Sequence, residues 1–166
     1  MKKMDFNRGW TVRKEGSEKV RQVNLPDDAM LFERRSKDSP SGSGGGFFAN
    51  GKYTYEKVWK VPEELANQTL ILECEGVYEN STVLLNGEKL TEWPYGYTNF
   101  FADLSGKVKS GDNTVSIIAD NEKAPITRWY SGSGVYREVS LYCSGKEYIA
   151  PQGIRTDVIS TSRVKI

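Results

Sequence analysis

The chain has 166 residues, of which 37% are hydrophobic and 27% charged, and a formal net charge of +1, the balance of one globular domain rather than a disordered segment. Both charge signs are interspersed, which argues against a footprint for nucleic acid or an anionic membrane, and no run of about 18 apolar residues is present to span a bilayer. There is no histidine, so Ser-His-Asp and Cys-His catalysis and the common zinc sites are excluded within the chain.

Along the chain, Met1-Lys2-Lys3-Met4-Asp5-Phe6-Asn7 carries two lysines but no apolar stretch after them. It does not read as a secretory signal, and a cytoplasmic location is expected. Trp10 and Trp59 lie on strand-like segments and are expected in the core. The acidic pairs Asp27-Asp28 and Glu63-Glu64 are adjacent, so in extended chain the two side chains of each pair point apart. Both pairs read as solvated surface charges. Residues 36–46, with Ser39-Pro40-Ser41-Gly42-Ser43-Gly44-Gly45-Gly46, have the composition of a flexible loop. No Gly-Lys-Ser/Thr follows and no helix starts there, as a phosphate-cradling loop would need.

Residues 52–61 are rich in aromatic and β-branched side chains and predict a strand that stops at Pro62, with a helical turn over 62–66. Residues 69–76 and 81–85 predict further strands. The second runs into Asn86-Gly87 and then Glu88-Lys89-Leu90, a hairpin signal because a type I′ turn needs positive φ at both central positions. In Tyr95-Gly96-Tyr97-Thr98-Asn99-Phe100-Phe101, Asn99 could aim its amide at a ligand hydroxyl or cap nearby backbone, and composition favours the cap. A turn at residues 110–113 precedes a strand over 114–120. Thr127-Arg128-Trp129-Tyr130-Ser131-Gly132-Ser133-Gly134 reads as a loop rather than a strand interior, which leaves Trp129 open to a surface or site role. Residues 136–142 alternate again. Cys74 and Cys143 read as two buried free thiols. Residues 148–166 alternate through Ile154, Thr156 and Val158 and read as the start of something longer. Many short strands separated by Gly, Asn, Asp and Ser turns mean an all-β sandwich or barrel.

The ordered phrases Phe6-Asn7-Arg8-Gly9-Trp10, Val23-Asn24-Leu25-Pro26-Asp27-Asp28, Gly45-Gly46-Phe47-Phe48, Glu75-Gly76-Val77-Tyr78, Val83-Leu84-Leu85-Asn86-Gly87, Gly96-Tyr97-Thr98-Asn99-Phe100 and Arg128-Trp129-Tyr130-Ser131-Gly132-Ser133-Gly134-Val135-Tyr136-Arg137 carry a resemblance. In this order they resemble the N-terminal domain of family 2 glycoside hydrolases of the β-galactosidase type. The resemblance implies a jelly-roll β-sandwich, galactose-binding-domain-like, over residues 1–147. Residues 148–166 would be a linker or the first strand of an immunoglobulin-like domain, and a catalytic (β/α)8 barrel would follow.

Retaining hydrolysis in such enzymes uses two glutamates of the barrel, so the resemblance implies no catalytic residue here, and 166 residues without the barrel should be inactive. It carries substrate-binding roles onto Asn99, Arg128 and Trp129, with a β-galactoside as substrate and the immunoglobulin-like and barrel domains as partners. It implies no cofactor or metal ligand in this chain. The family usually reads Leu-Pro-His-Asp-Trp where this chain has Leu25-Pro26-Asp27-Asp28-Ala29, a departure expected to affect local packing.

Composition supports one part of this independently. Sugar rings present apolar C–H faces that pack on aromatic rings, and aromatic residues make up 11% of the chain. The competing readings are a self-contained carbohydrate-binding module and a structural sandwich for protein adhesion, and the second has only the fold in its favour.

Overall fold

The computed structural model of the chain describes residues 1–123, 129–160 and 163–165, the last three by backbone alone. Its strands are β1 (Lys2–Asp5), β2 (Trp10–Lys14), β3 (Val20–Val23), β4 (Lys52–Val61), β5 (Thr69–Cys74), β6 (Ser81–Leu85), β7 (Glu88–Trp93), β8 (Phe100–Asp103), β9 (Gly111–Asp120), β10 (Val139–Ser144), β11 (Asp157–Ser160) and β12 (Arg163–Lys165), with a short helix α1 (Glu63–Ala66). A 3-10 turn covers Ala29–Phe32.

Ten strands build two antiparallel sheets, ordered β3-β2-β4-β9-β6-β7 and β1-β10-β5-β8. This is the galactose-binding-like β-sandwich that the resemblance implies. Alternation decides which side chains meet between the sheets. From the larger sheet come Trp10, Val12, Tyr53, Tyr55, Val83, Leu85, Val115 and Ile117. The smaller sheet supplies Leu70, Leu72, Phe100, Ala102, Val139 and Leu141, all buried. Full burial of a side chain such as Leu72 or Ile117 stabilises the fold by about 1.5–3 kcal/mol. Strands β4 and β9 pair over ten positions from Lys52↔Asp120 to Val61↔Gly111 and form the spine of the larger sheet.

Several expectations hold. Strand β4 has the predicted bounds, and Asn86 and Gly87 both have positive φ (52° and 84°) in the β6–β7 turn. Trp10 is fully buried and Trp59 packs half-buried against the core. Cys74 and Cys143 are buried free thiols.

Other expectations are corrected. Residues 36–46 are a packed series of turns, not a loose tether. Ser36 N–H donates to Phe47 C=O and Phe47 N–H to Gly42 C=O, both at 2.8 Å, and Ser39 and Ser41 are buried. Small residues let this segment satisfy its own backbone. The expected turn at 110–113 is instead the beginning of β9, because the buried Asn113 amide caps Lys109 C=O at 2.7 Å and Gly111 C=O at 3.0 Å. The first residues of the chain, for which the sequence predicts no element, form β1, which pairs with β10 from Lys2↔Cys143 to Asp5↔Ser140. In the stretch 148–166, β11 and β12 pair with each other and, among the described residues, with neither sandwich sheet.

The Asp27-Asp28 pair also departs from expectation. Asp27 is 9% exposed at its side chain; both its oxygens accept from Arg21, at 2.9 and 2.8 Å, and one also accepts from Tyr55 OH at 2.7 Å. At the position where the family usually has histidine, this chain has a carboxylate with its own cation. Burial, followed by the charge of Asp27, pushes the Tyr55 phenol far up. Ala29, in place of tryptophan, is buried at the start of the 3-10 turn. Glu63 and Glu64 are surface residues in the first turn of α1, as expected.

Candidate functional site

The site is built where the β7–β8 connection meets the segment before β10. Trp93 ends β7, stacks on Phe100 at the start of β8 (ring centroids 6.1 Å apart) and donates its indole N–H to Thr98 Oγ1 at 3.1 Å. The turn between them is held from behind. Tyr136 OH donates to Gly96 C=O at 2.6 Å, and the Tyr78 ring packs so closely that a Cβ on Gly96 would lie 2.2 Å from its Cδ2. Only glycine fits beneath that ring.

This turn presents Tyr95, Tyr97 and Asn99. Tyr97 makes edge contacts with Tyr78 and Tyr95, at 5.4 and 5.7 Å between centroids. Asn99 does not cap local backbone, contrary to what composition favours. Its Nδ2 donates to Glu73 Oε1 at 2.8 Å. Glu73 is 7% exposed, and its other oxygen accepts from Tyr142 OH at 2.8 Å. Asn99 lines a shallow groove of about 350 Å³ with Glu73, Glu75, Tyr97, Thr98 and Arg137.

Trp129 stands on the far side of Tyr97. It is 60% exposed, so it is not a core residue. Its indole N–H donates to Tyr97 OH over a long 3.5 Å. The loop that carries it is tied to the 3-10 turn through Asp28, whose carboxylate accepts from Tyr130 OH at 2.6 Å and from the backbone N–H of Ser133 and Met30 at 3.0 and 3.1 Å. Ala29 N–H donates to Ser133 C=O at 2.8 Å, and Gly134 and Tyr78 exchange backbone hydrogen bonds at 3.0 and 2.9 Å. Buried Asn121 adds a bond from Nδ2 to Gly132 C=O at 3.0 Å.

Tyr97 thus lines the groove with Asn99 and accepts the Trp129 indole N–H. Arg128 lies outside the described residues. Tyr97, Glu73 and Asp28 complete the site and were not among the sequence-predicted residues. No local signal marks Glu73, because its partners are distant in sequence; Asp28 lies in the phrase over residues 23–28 and caps Met30, but its partners in the Trp129 loop are distant. Tyr97 had a signal, its place in the Gly96-Tyr97-Thr98-Asn99-Phe100 phrase. Burial pushes the phenols of Tyr78 and Tyr136 up, and Tyr130 is raised by burial and then by its bond to Asp28. These groups are neutral hydrogen-bonding phenols over the physiological range.

Among the described residues no group of three or more His, Cys, Asp or Glu could hold a metal ion. No described helix is long and apolar enough to cross a membrane. Larger grooves are one of about 780 Å³ between the β2–β3 hairpin and the 3-10 turn, one of about 530 Å³ beside β1 and one of about 410 Å³ between Asn80, Trp93 and Asp120. None of these is lined by Asn99 or Trp129.

Residues 46–142, more than half the chain and the stretch that carries Asn99, Tyr97 and Trp129, match the family model described as glycosyl hydrolase 2 galactose-binding domain-like. The chain belongs to that family. This galactose-binding-like domain is 37% identical over 134 residues to a β-galactosidase of Bacteroides ovatus, an alignment covering 80% of the chain and 16% of the relative. A protein of Formosa agariphila named as a putative β-glucuronidase is 33% identical over 132 residues, covering 80% of the chain and 13% of that relative. The domain therefore spans only a small part of the relatives that it matches. Among solved structures it resembles a β-glycosidase from Bacteroides vulgatus, with 30% identity and a TM-score of 0.79 over 87% of the chain and 20% of that chain. A family 2 glycosyl hydrolase from Bacteroides cellulosilyticus, 23% identical with a TM-score of 0.78, shares the fold.

Proposed function

We propose that this domain is a non-catalytic part of a larger retaining family 2 glycosidase, where it walls the active site and contacts the non-reducing sugar of a β-galactoside. The observation that carries the reading is the rim formed by Tyr95, Tyr97 and Trp129, exposed by 56%, 43% and 60%, beside the fixed amide of Asn99. Aromatic faces suit the C–H faces of a sugar ring, and positioned polar groups suit its hydroxyls. Arg128 precedes Trp129 in sequence and belongs to the same proposed site. The groove beside Asn99 presents the carboxylates of Glu73 and Glu75 with Arg137.

Hydrolysis itself is assigned to two glutamates of a barrel domain, so the chain alone has no glycosidase activity. Residues 148–166 are proposed to lead into an immunoglobulin-like domain. Supporting this, the β11–β12 pair stands apart from both sandwich sheets and exposes Val158 by 76% and Ile159 by 56%.

A self-contained carbohydrate-binding module is the second reading, and the exposed aromatic rim is what favours it. Calorimetric titration of the chain, shown by circular dichroism to be folded, with galactose and lactose decides between them. A site that shares its contacts with another domain loses most of its preorganisation alone, so no saturable binding is expected at about 1 mM sugar, a concentration at which a Kd corresponds to only about 4 kcal/mol. Saturable binding there makes the domain a stand-alone module.

A further inference from the structure

Glu73 lies on the outward-facing side of β5, flanked by the inward Leu72 and Cys74 and paired across the sheet with Ser140 and Phe101. Yet it is buried, which a carboxylate on a sheet surface rarely is without partners. Its Oε1 takes the Asn99 Nδ2 hydrogen bond at 2.8 Å and its Oε2 the Tyr142 hydroxyl at 2.8 Å. Lys3 Nζ is 4.0 Å from Oε2 and donates to Glu75 Oε1 at 3.2 Å. Burial, followed by the bond to Glu73, pushes the Tyr142 phenol up, so it remains a donor.

A carboxylate accepts hydrogen bonds and cannot donate them, whereas a carboxamide has a donor arm and an acceptor arm that exchange by a simple flip. An asparagine that donates to a glutamate carboxylate is therefore held in one orientation, with its NH2 on the carboxylate and its Oδ1 turned away. The geometry points to Glu73 as a positioning residue that fixes the orientation of the Asn99 amide, committing one N–H to the carboxylate and turning Oδ1 outward to accept from a ligand hydroxyl. This rests on the reading of the Asn99 rim as a sugar site. It adds that the Asn99 oxygen is turned outward to accept from a hydroxyl, and that this orientation is imposed from β5.

The test exchanges the polarity of the pair in the full-length enzyme, with p-nitrophenyl β-galactoside as probe and KM and kcat measured separately. Glu73→Gln lets Tyr142 hold the new carboxamide oxygen, which turns the new NH2 toward Asn99 and flips its amide. KM is expected to rise more than about fivefold with kcat changed less. Asn99→Asp alone sets two carboxylates against each other and raises KM by more than about tenfold. The double variant Glu73→Gln/Asn99→Asp restores a donor facing an acceptor and leaves a carboxylate oxygen toward the ligand, so KM returns to within about threefold of the parent. Tyr142→Phe removes the other bond to Glu73 without touching Asn99 and leaves KM within about twofold.

A double variant no better than Asn99→Asp overturns the role of Glu73. Unchanged kinetics in Asn99→Ala overturn the sugar-site reading itself, which separates the two failures. Should the double variant not fold, the parent still decides. In nitrogen-15 spectra the Asn99 side-chain NH2 is expected to exchange slowly and to lose that protection in Glu73→Ala, and fast exchange in the parent overturns the proposal.

Discussion

Asp28 carries more of the site's architecture than its surface-like sequence context implies. One oxygen receives the N–H groups of Met30 and Ser133, which caps the 3-10 turn and anchors the Trp129 loop together, and the other receives the Tyr130 hydroxyl at 2.6 Å. Hydrogen bonds to a charged acceptor contribute about 1.5–3 kcal/mol each, and donors left unpaired cost a further part of that. Asp28→Ala should therefore lower stability by about 2–4 kcal/mol, and Tyr130→Phe, which removes one partially solvated bond, by about 1 kcal/mol. Urea denaturation reads both as shifts in midpoint at constant slope. An Asp28→Ala midpoint within error of the parent would mean that the loop is held by Asn121 and the Tyr78–Gly134 bridge instead. The sequence hides this role for a physical reason. The partners of Asp28 in the loop are 102 and 105 residues away, and a dipeptide of aspartates shows only its neighbours. The same holds for Glu73, which is 26 residues from Asn99. Asn99 and Trp129 stand out in the sequence because each sits in a recognisable phrase, whereas the Glu73 that holds Asn99 comes from β5.

At the scale of the element, the turn between β7 and β8 sets the height of the aromatic rim. Gly96 is its contact point with Tyr78. Gly96→Ala would drive a methyl group to 2.2 Å from the Tyr78 Cδ2, and either the ring or the turn must move. Overpacking of this kind costs about 1–3 kcal/mol. The expected readouts are a lower urea midpoint and a changed near-ultraviolet circular dichroism signal, since Tyr78 and Tyr97 share an edge contact at 5.4 Å. If Gly96→Ala leaves both unchanged, Tyr78 does not support the turn. Elements were legible where a period or a turn chemistry ran long enough to be unambiguous. Ten alternating residues mark β4, and Asn86-Gly87 marks the β6–β7 hairpin. Four-residue strands such as β1, β3 and β8 carry too few positions for a period to stand out. The start of β9 at Gly111 depends on Asn113 folding back on Lys109, a local hydrogen bond that reads as a turn from composition.

For the whole molecule, the absence of histidine removes the side chain whose ordinary pKa falls nearest neutrality. On the acid side the pH dependence of stability then comes from carboxylates, and two with perturbed values act with opposite sign. Asp5 is held below its ordinary value by the backbone and side chain of Asn7. It contributes stability above its unfolded value of 3.8 that is lost as pH falls through the lower folded value. Glu79 is held above its ordinary value of 4.5, first by burial and then by the charge of Asp120. In the folded state it keeps its proton longer than in the unfolded chain, so its contribution is fully present below 4.5 and is lost as pH rises through the folded value. At neutral pH the charged form is a net liability. Glu79→Gln should accordingly stabilise the domain at pH 7, and the gain should shrink as the pH is lowered and disappear below the unfolded value, with urea midpoints from about pH 4 to pH 8 as the measure. A gain independent of pH would assign the effect to packing, and a loss at pH 7 would show that Glu79 makes a favourable charged contact that outweighs its burial.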